Sequence, residues 1–313
     1  MHELNYIIKR VGHMIPVLLC ITILVFFMIR LIPGNAAEIL LGDRFTPEKL
    51  AILERKMGLD KPIIVQYAIY MKQVMTLDFG DSIKYVRPVI ELLRPKIAVT
   101  ASLIATMTLF VIVFSFPIGY YAGENDGSAA DRAISVANLL VLALPQFFVG
   151  TILLLFFSLK LKWFPVGNWG ETTLQHLHAL ILPGITGGLS TCALMIRNLR
   201  NNVIDVIRSD YVDFAHTKGL SDKTIKSRHV LRNAMISTVT LLSLRIVNML
   251  GISIVIETVF SLPGLGKLLV DSIFARDYAV VQAAVLLIAF MVLLVNLLTD
   301  IAYSLIDPRV RLE

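Results

Sequence analysis

Residues 97–123 read IAVTASLIATMTLFVIVFSFPIGYYAG, a stretch without a single Asp, Glu, Lys or Arg. About 20 mostly apolar residues are enough for a helix to cross a bilayer. The pattern recurs along the chain. Val11 to Ile29, Ala133 to Leu159, Thr172 to Ile196 and Tyr278 to Thr299 are also uncharged, and Met235 to Ile256 is interrupted once, by Arg245. No soluble core accounts for six such runs. The sequence therefore predicts an all-α, polytopic membrane protein with six transmembrane helices, at 11–32, 97–123, 133–159, 179–197, 235–256 and 278–306.

Composition agrees. Of 313 residues, 56% are hydrophobic and 17% charged, with mean hydropathy +0.75. A soluble domain carries about 25% charge, and a disordered chain needs low hydrophobicity and high net charge. Two cysteines, Cys20 and Cys192, make no disulfide framework. Both lie in apolar runs and are expected to be buried free thiols. The first run follows Lys9-Arg10 and precedes Gly34-Asn35-Ala36-Ala37, but exceeds the apolar region of a signal peptide, about 7–15 residues. It reads as a retained helix.

Orientation follows from Lys and Arg in short loops. With the N-terminus (1–10) in the cytoplasm, the inner segments hold thirteen such residues. The short outer loops hold four: Lys160, Lys162, Lys267 and Arg276. Long translocated segments are exempt from the rule, which sets aside 33–96. Both termini are therefore expected inside. The net charge of +6 reflects this bias and needs no nucleic acid to explain it.

Segment 33–96 reads as a small extracytoplasmic helical region. Thr46-Pro47-Glu48 is a helix start. Leu50, Leu53 and Met57 follow at helical spacing and Gly58 ends that helix. Ile63, Tyr67, Tyr70 and Val74 mark the apolar stripe of a second helix. The region is either a cap over helix ends or a partner surface. The inner segment 198–234 carries seven basic and four acidic residues. Ser209 and Ser221 are placed to cap two helices, each followed by an aspartate in the first turn. Gly219 between them suits a left-handed stop. Tyr211, Phe214, Ala215 and Lys218 fall at i, i+3, i+4 and i+7 on one mixed apolar face. An exposed face of that kind on a compact knob points to a docking partner. In the outer loop 257–277, Gly266-Lys267 is no phosphate loop, because Ser261 and Leu268 break its spacing.

Inside the spans, Arg245 costs about 2.5–3.5 kcal/mol at mid-membrane. The surrounding Leu, Ile and Val return on the order of 5 kcal/mol. Helical rise places Arg245 about 15 Å and Asp300 about 9 Å from the inner face. Either the two form a structural pair, or Arg245 lines a path and attracts an anionic group. Gln146, Asn248 and Asn296 are further intramembrane polar groups, suited to interhelical hydrogen bonds. Gly119/Gly123 and Gly184/Gly188 permit close helix contact. His176 and His178, two residues apart, share no helix face and make no metal site. No nucleophile elbow, His-Glu-x-x-His pair or ATP-binding motif is present. Energy must come from a partner or an ion gradient.

The segment Asp210-Tyr211-Val212-Asp213-Phe214-Ala215-His216-Thr217-Lys218-Gly219-Leu220 resembles the cytoplasmic coupling loop of ABC-importer permeases. That pattern is Glu-Ala-Ala, three residues, then Gly. Asp213 stands where the family usually has Glu, Ala215 matches the second Ala, and Gly219 matches the Gly. Glu257 to Gly266, Arg276-Asp277-Tyr278, Met57 to Pro62, Leu77-Asp78-Phe79-Gly80 and Asp307 to Arg311 resemble the dipeptide/oligopeptide/nickel branch. The resemblance spans nearly the whole chain, with 97–306 as permease core. It implies a heteromeric importer: a second homologous permease, two ATP-binding subunits that carry the ATP and magnesium, and an extracytoplasmic substrate-binding protein. Tyr211, Asp213, Phe214, Ala215, Lys218, Gly219 and Leu220 would form the helix that docks on an ATP-binding subunit. The path would draw on Arg245, Asn248, Gln146, Asn296 and Asp300. Glu257, Pro263, Gly264 and Gly266 would face the binding protein. Arg245 stands where the family often has an uncharged polar residue, which suits a substrate carboxylate.

The expected function is a non-enzymatic permease subunit for short peptides, multi-pass in the bacterial inner membrane. A nickel or metal-chelate permease shares every motif quoted. A gradient-driven carrier is the reading from a different class. It predicts an inverted repeat and proton-relay groups, and no matching halves are visible. A membrane adaptor or sensor that only recruits a cytosolic protein is a third.

Overall fold

The computed structural model describes residues 2–31, 46–48, 60–167 and 169–306, with side chains at 12–28, 46–48, 60–167, 169–299 and 301. Regular structure among the described residues is helical, apart from one backbone bridge between Asp81 and Pro88. In chain order the helices are α1 (His2–Leu31), α2 (Ile63–Thr76), α3 (Val89–Glu124), α4 (Ala129–Ala143) and α5 (Gln146–Leu153), the last continued by a π-helical turn, Leu154–Lys160. Then come α6 (Thr173–Ile207), α7 (Asp210–Thr217), α8 (Asp222–Thr224), a π-helical turn Ile225–Leu231, α9 (Arg232–Val259), α10 (Leu265–Phe274) and α11 (Tyr278–Ile306).

Among the described residues, four helices are long and apolar enough to cross a membrane: α3, α6, the continuous run Asp222–Val259, and Tyr278–Thr299 of α11. α1 contributes a shorter apolar stretch, Gly12–Met28. The expected third span, 133–159, is not one straight helix. α4 and the α5 segment meet at 101°. Leu144 is extended, at φ −90° and ψ 133°, because the ring of a following proline disfavours the helical region. Pro145 brings no N–H to continue the ladder. Its carbonyl instead accepts from Phe148 and Val149 and starts the next helix. Gln146, expected inside a span, is therefore the first residue of α5. The inner segment also starts differently from its expected form. α6 does not stop at Arg197 but runs to Ile207, since charges end membrane immersion without ending a helix.

The chain divides into two compact units, residues 1–99 with 263–294 and residues 100–262 with 295–313. In the first, Val89 and Leu93 pack with Leu265, Leu268, Val280 and Ala284. The α2 stripe closes on α1: Phe26, Tyr70 and Leu286 form a buried group, with Tyr67 and Val74 against it. Phe26 meets the Tyr67 ring edge-on at 5.2 Å, and Thr22 shares a 2.8 Å hydrogen bond with the Tyr67 hydroxyl. Burial pushes the Tyr70 phenol well above its ordinary range. Ile63, expected on the same stripe, is exposed. One face of α2 thus packs inward, while Ile64 and Met75 of the same helix stay exposed. Of the first expected external helix, Pro47 and Glu48 are helical, while Leu50, Leu53, Met57 and Gly58 lie outside the described residues. So do Gly34 to Ala37 and Asp307 to Arg311.

The second unit is built on close helix approach. A Cβ added at Gly184 would lie 2.5 Å from Thr106 Cγ2, and at Gly188 3.0 Å from the Met107 carbonyl oxygen. At Gly119 it would lie 3.0 Å from the Ile196 carbonyl oxygen, and at Gly123 2.7 Å from Val203 Cβ. Both expected glycine pairs thus face the other helix, and residue numbers rise together, so α3 and α6 run parallel. α9 runs antiparallel to α6. Asn202 donates to Thr238 at 3.2 Å near one end, while Ile256 approaches Gly187 near the other. Close glycine contacts line the α3–α6 seam along its length. Cys192 is buried in this unit, but Cys20 on α1 is exposed, against expectation.

Candidate functional site

The knob forms as its sequence predicts, with two local differences. Ser209 occupies the N-cap position of α7 at φ −85° and ψ 145°, and Asp210 and Asp213 occupy the first turn. The Ser209 hydroxyl does not cap. It donates backwards to the Val206 carbonyl at 2.5 Å. Gly219 takes φ +75°, the left-handed geometry a helix stop favours. Leu220 N–H then returns to the Ala215 carbonyl at 3.3 Å. The second expected helix is only Asp222–Thr224 before the π-helical turn carries the chain into α9. The knob is thus joined to a span by unbroken helix.

The two faces of α7 divide the work. Val212 and Ala215 are buried with Leu199, Val203, Ile225, Val230 and Ala234. Ala215 was expected on the outer face with Tyr211 and Phe214, and instead belongs to the anchoring face. Val212 was missed, although its i, i+3 spacing from Ala215 is the signal of a buried stripe. On the other side Tyr211, Leu220 and Phe214 are exposed, Phe214 by 59%. Lys218 Nζ lies 4.6 Å over the Phe214 ring, and Asn233 donates to the Tyr211 hydroxyl at 3.1 Å. Asp213 is also exposed. The result is an apolar surface with charged edges, held rigidly from behind.

Beside this anchor lies an ion-pair cluster that the sequence reading did not single out. Asp131, in the first turn of α4, is 2% exposed. Its carboxylate accepts both Nε and Nη2 of Arg200 from α6, and also the Gly127 N–H at 2.9 Å. Arg200 Nη2 reaches Asp126 at 2.8 Å, and Arg208 holds the other Asp126 oxygen at 2.7 Å. Lys226, beyond the knob, pairs with Glu124 at the end of α3. Every one of these charges was legible as a basic or acidic residue in an inner segment. Their partners were not, because the pairs join residues 69 to 82 positions apart for the arginines.

Among the described residues, no hydrogen bond or ion pair joins the expected path residues to one another. Arg245 is half-buried, with no ion pair among the described residues, and the Asp300 side chain lies outside them. Asn248 is exposed and donates to the Leu244 carbonyl of its own helix. Asn296 is half-buried, and its carbonyl accepts from Thr299. The expected outward face is corrected more sharply. Glu257 is fully buried, accepting from Thr100 at 2.6 Å. Gly264 and Gly266 are buried and only Pro263 is half-exposed. A charged residue beside a turn looked like surface, but tertiary packing covers it. His176 stacks on Trp169 at 4.5 Å, and His178 bonds the Trp163 carbonyl. No cluster of three metal-binding side chains occurs among the described residues.

The family described as binding-protein-dependent transport system inner membrane component matches residues 115–312, and its N-terminal companion matches residues 3–104. The glutathione transport system permease protein GsiC of Salmonella typhimurium (strain LT2) is 37% identical over 308 residues, covering 98% of this chain and 99% of its own. GsiC of Escherichia coli (strain K12) is 35% identical with the same coverage. The dipeptide transport system permease protein DppB of Alkalihalophilus pseudofirmus is 33% identical over 331 residues, again 98% of this chain and 99% of its own.

Proposed function

This chain belongs to the binding-protein-dependent transport system inner membrane components, and from that premise we propose that it is the permease half of an importer for short peptides. It is a multi-pass inner-membrane transport subunit rather than an enzyme, and its family works with substrate-binding and ATPase subunits. In the proposed assembly a second homologous permease completes the path and two ATP-binding subunits hold ATP and magnesium. An extracytoplasmic binding protein delivers the substrate. Relatives named for glutathione and for dipeptides, each similar over nearly the whole chain, support a peptide cargo. Both termini lie in the cytoplasm. The Lys and Arg bias supports this.

Coupling runs through 209–220. The observation that carries this reading is the exposed Tyr211, Phe214 and Leu220 surface on a helix fixed from behind by Val212 and Ala215. A partner that grips this face moves the buried anchor with it. Through the unbroken run Asp222–Val259 it also moves a span.

Gentle purification of tagged chain from its native membranes, followed by mass spectrometry, tests the assembly. The expected result is a second permease, ATP-binding subunits and a binding protein loaded with peptide. A binding protein carrying a nickel chelate would overturn the peptide assignment. Purification of the chain alone would favour a gradient-driven carrier.

A further inference from the structure

The geometry points to Arg200 as a positioning residue for transport, the rigid joint through which movement of α7 is handed on to α4. This rests on the coupling reading of 209–220 given above.

Three observations carry it. First, the joint is stiff. Arg200 grips Asp131 with two donors of one planar guanidinium, a fork that fixes orientation as well as distance. Asp131 is buried and takes a further donor from Gly127, so its carboxylate cannot turn away. Second, the joint lies where α6 and α3 touch backbone to side chain. A Cβ at Gly123 would sit 2.8 Å from the Arg200 carbonyl oxygen, so α3 and α6 are in close backbone contact at the level of the joint. Third, the same stretch of α6 is the floor of the α7 anchor. Leu199 and Val203 flank Arg200 and pack on Val212 and Ala215.

Displacement of α7 must therefore either break apolar packing or carry α6 with it. Arg200 then draws the first turn of α4, and Asp126 ties the 125–128 turn and Arg208 into the same body. Lys226 on Glu124 closes the loop from the far side of the knob. α4 is the element that bends by 101° into the α5 segment. A pull on its first turn thus acts on the lever arm of a broken span. A lysine at position 200 keeps the charge but offers a single point contact in place of the fork, so the joint becomes loose while the charges stay balanced.

The test uses the whole importer, reconstituted in lipid with its partner subunits and binding protein, and reads peptide uptake per ATP hydrolysed. Arg200→Lys should leave recovery of the complex and basal ATP hydrolysis close to normal. Uptake per ATP should fall about tenfold, within the usual range of coupling between linked sites. An unchanged ratio in Arg200→Lys overturns the proposal. So does a loss that only tracks the amount of assembled complex, which would make the pair a folding contact. If the unaltered chain fails to recruit ATP-binding subunits at all, the coupling reading fails rather than the joint.

Discussion

The Thr100 hydroxyl donates to Glu257 Oε1 across 2.6 Å, joining α3 to α9 through a carboxylate with none of its surface exposed. A typical hydrogen bond contributes about 0.5–1.5 kcal/mol net, and depriving a buried acceptor of one donor costs about 1–3 kcal/mol. Thr100→Val should therefore lower stability by about 2 kcal/mol. Pairing it with Glu257→Leu should cost less than the two single changes added together, by at least about 0.5 kcal/mol. Thermal unfolding of the detergent-purified protein measures this. Strict additivity would show that the two side chains are not an energetic unit.

Gly123 is predicted to be intolerant where Gly251 is not. A Cβ at 123 would meet Val203 and the Arg200 carbonyl at under 3 Å, whereas at 251 nothing lies within 4 Å. Backbone cannot swing aside as a side chain can, so Gly123→Ala should cost about 1–3 kcal/mol through overpacking. Gly251→Ala should be neutral or gain up to about 1 kcal/mol from helix propensity. Parallel melting curves of the two variants decide it, and equal losses would mean the α3–α6 seam is looser than its spacing.

These two cases show what was readable in advance. The glycine pairs were visible because small residues four apart in an apolar run already imply close approach. Glu257 was not, because its partner stands 157 residues away and adjacency to a turn mimics surface. The break at Leu144-Pro145 was written in the sequence. It escaped because absence of charge finds membrane segments and is blind to a missing N–H. The inward turn of Ala215 escaped for a third reason. A four-residue face on an eight-residue helix is compatible with two rotations, and only the cluster beneath it selects one.

Val86 carries strain that a single substitution should relieve. It is held at φ +51° by hydrogen bonds across its turn, Ser82 N–H to the Arg87 carbonyl and Val86 N–H to the Ser82 carbonyl. The turn is in turn pinned by Ser82 and Lys84 on Asp277. A β-branched residue in this region is a true outlier, and the left-handed conformation costs about 1–2 kcal/mol for residues with a Cβ. Val86→Gly keeps the N–H and loses the clash. Part of the gain is offset by added freedom of the unfolded chain, leaving a stabilisation of about 0.5–1 kcal/mol. A Tm at or below that of the unaltered protein would mean that the exposed side chain contributes contacts of its own.

The two faces of α7 make opposite predictions, and together they separate coupling from folding. Phe214 is exposed, and its contact with Lys218 is a surface cation–π pair worth about 0.5–1 kcal/mol. Phe214→Ala should therefore change the melting temperature little while sharply reducing co-purification of the ATP-binding subunits and substrate-stimulated ATP hydrolysis. Ala215 is buried against Leu199 and Val203, where added volume has nowhere to go. Ala215→Leu should destabilise the inner end by about 1–3 kcal/mol, with coupling lost only as the fold is lost. The reverse pattern, a stable Ala215→Leu protein beside an unfolded Phe214→Ala protein, would require α7 to be rotated by roughly half a turn from the arrangement described. Normal recruitment in Phe214→Ala would take the coupling surface away from 209–220 altogether.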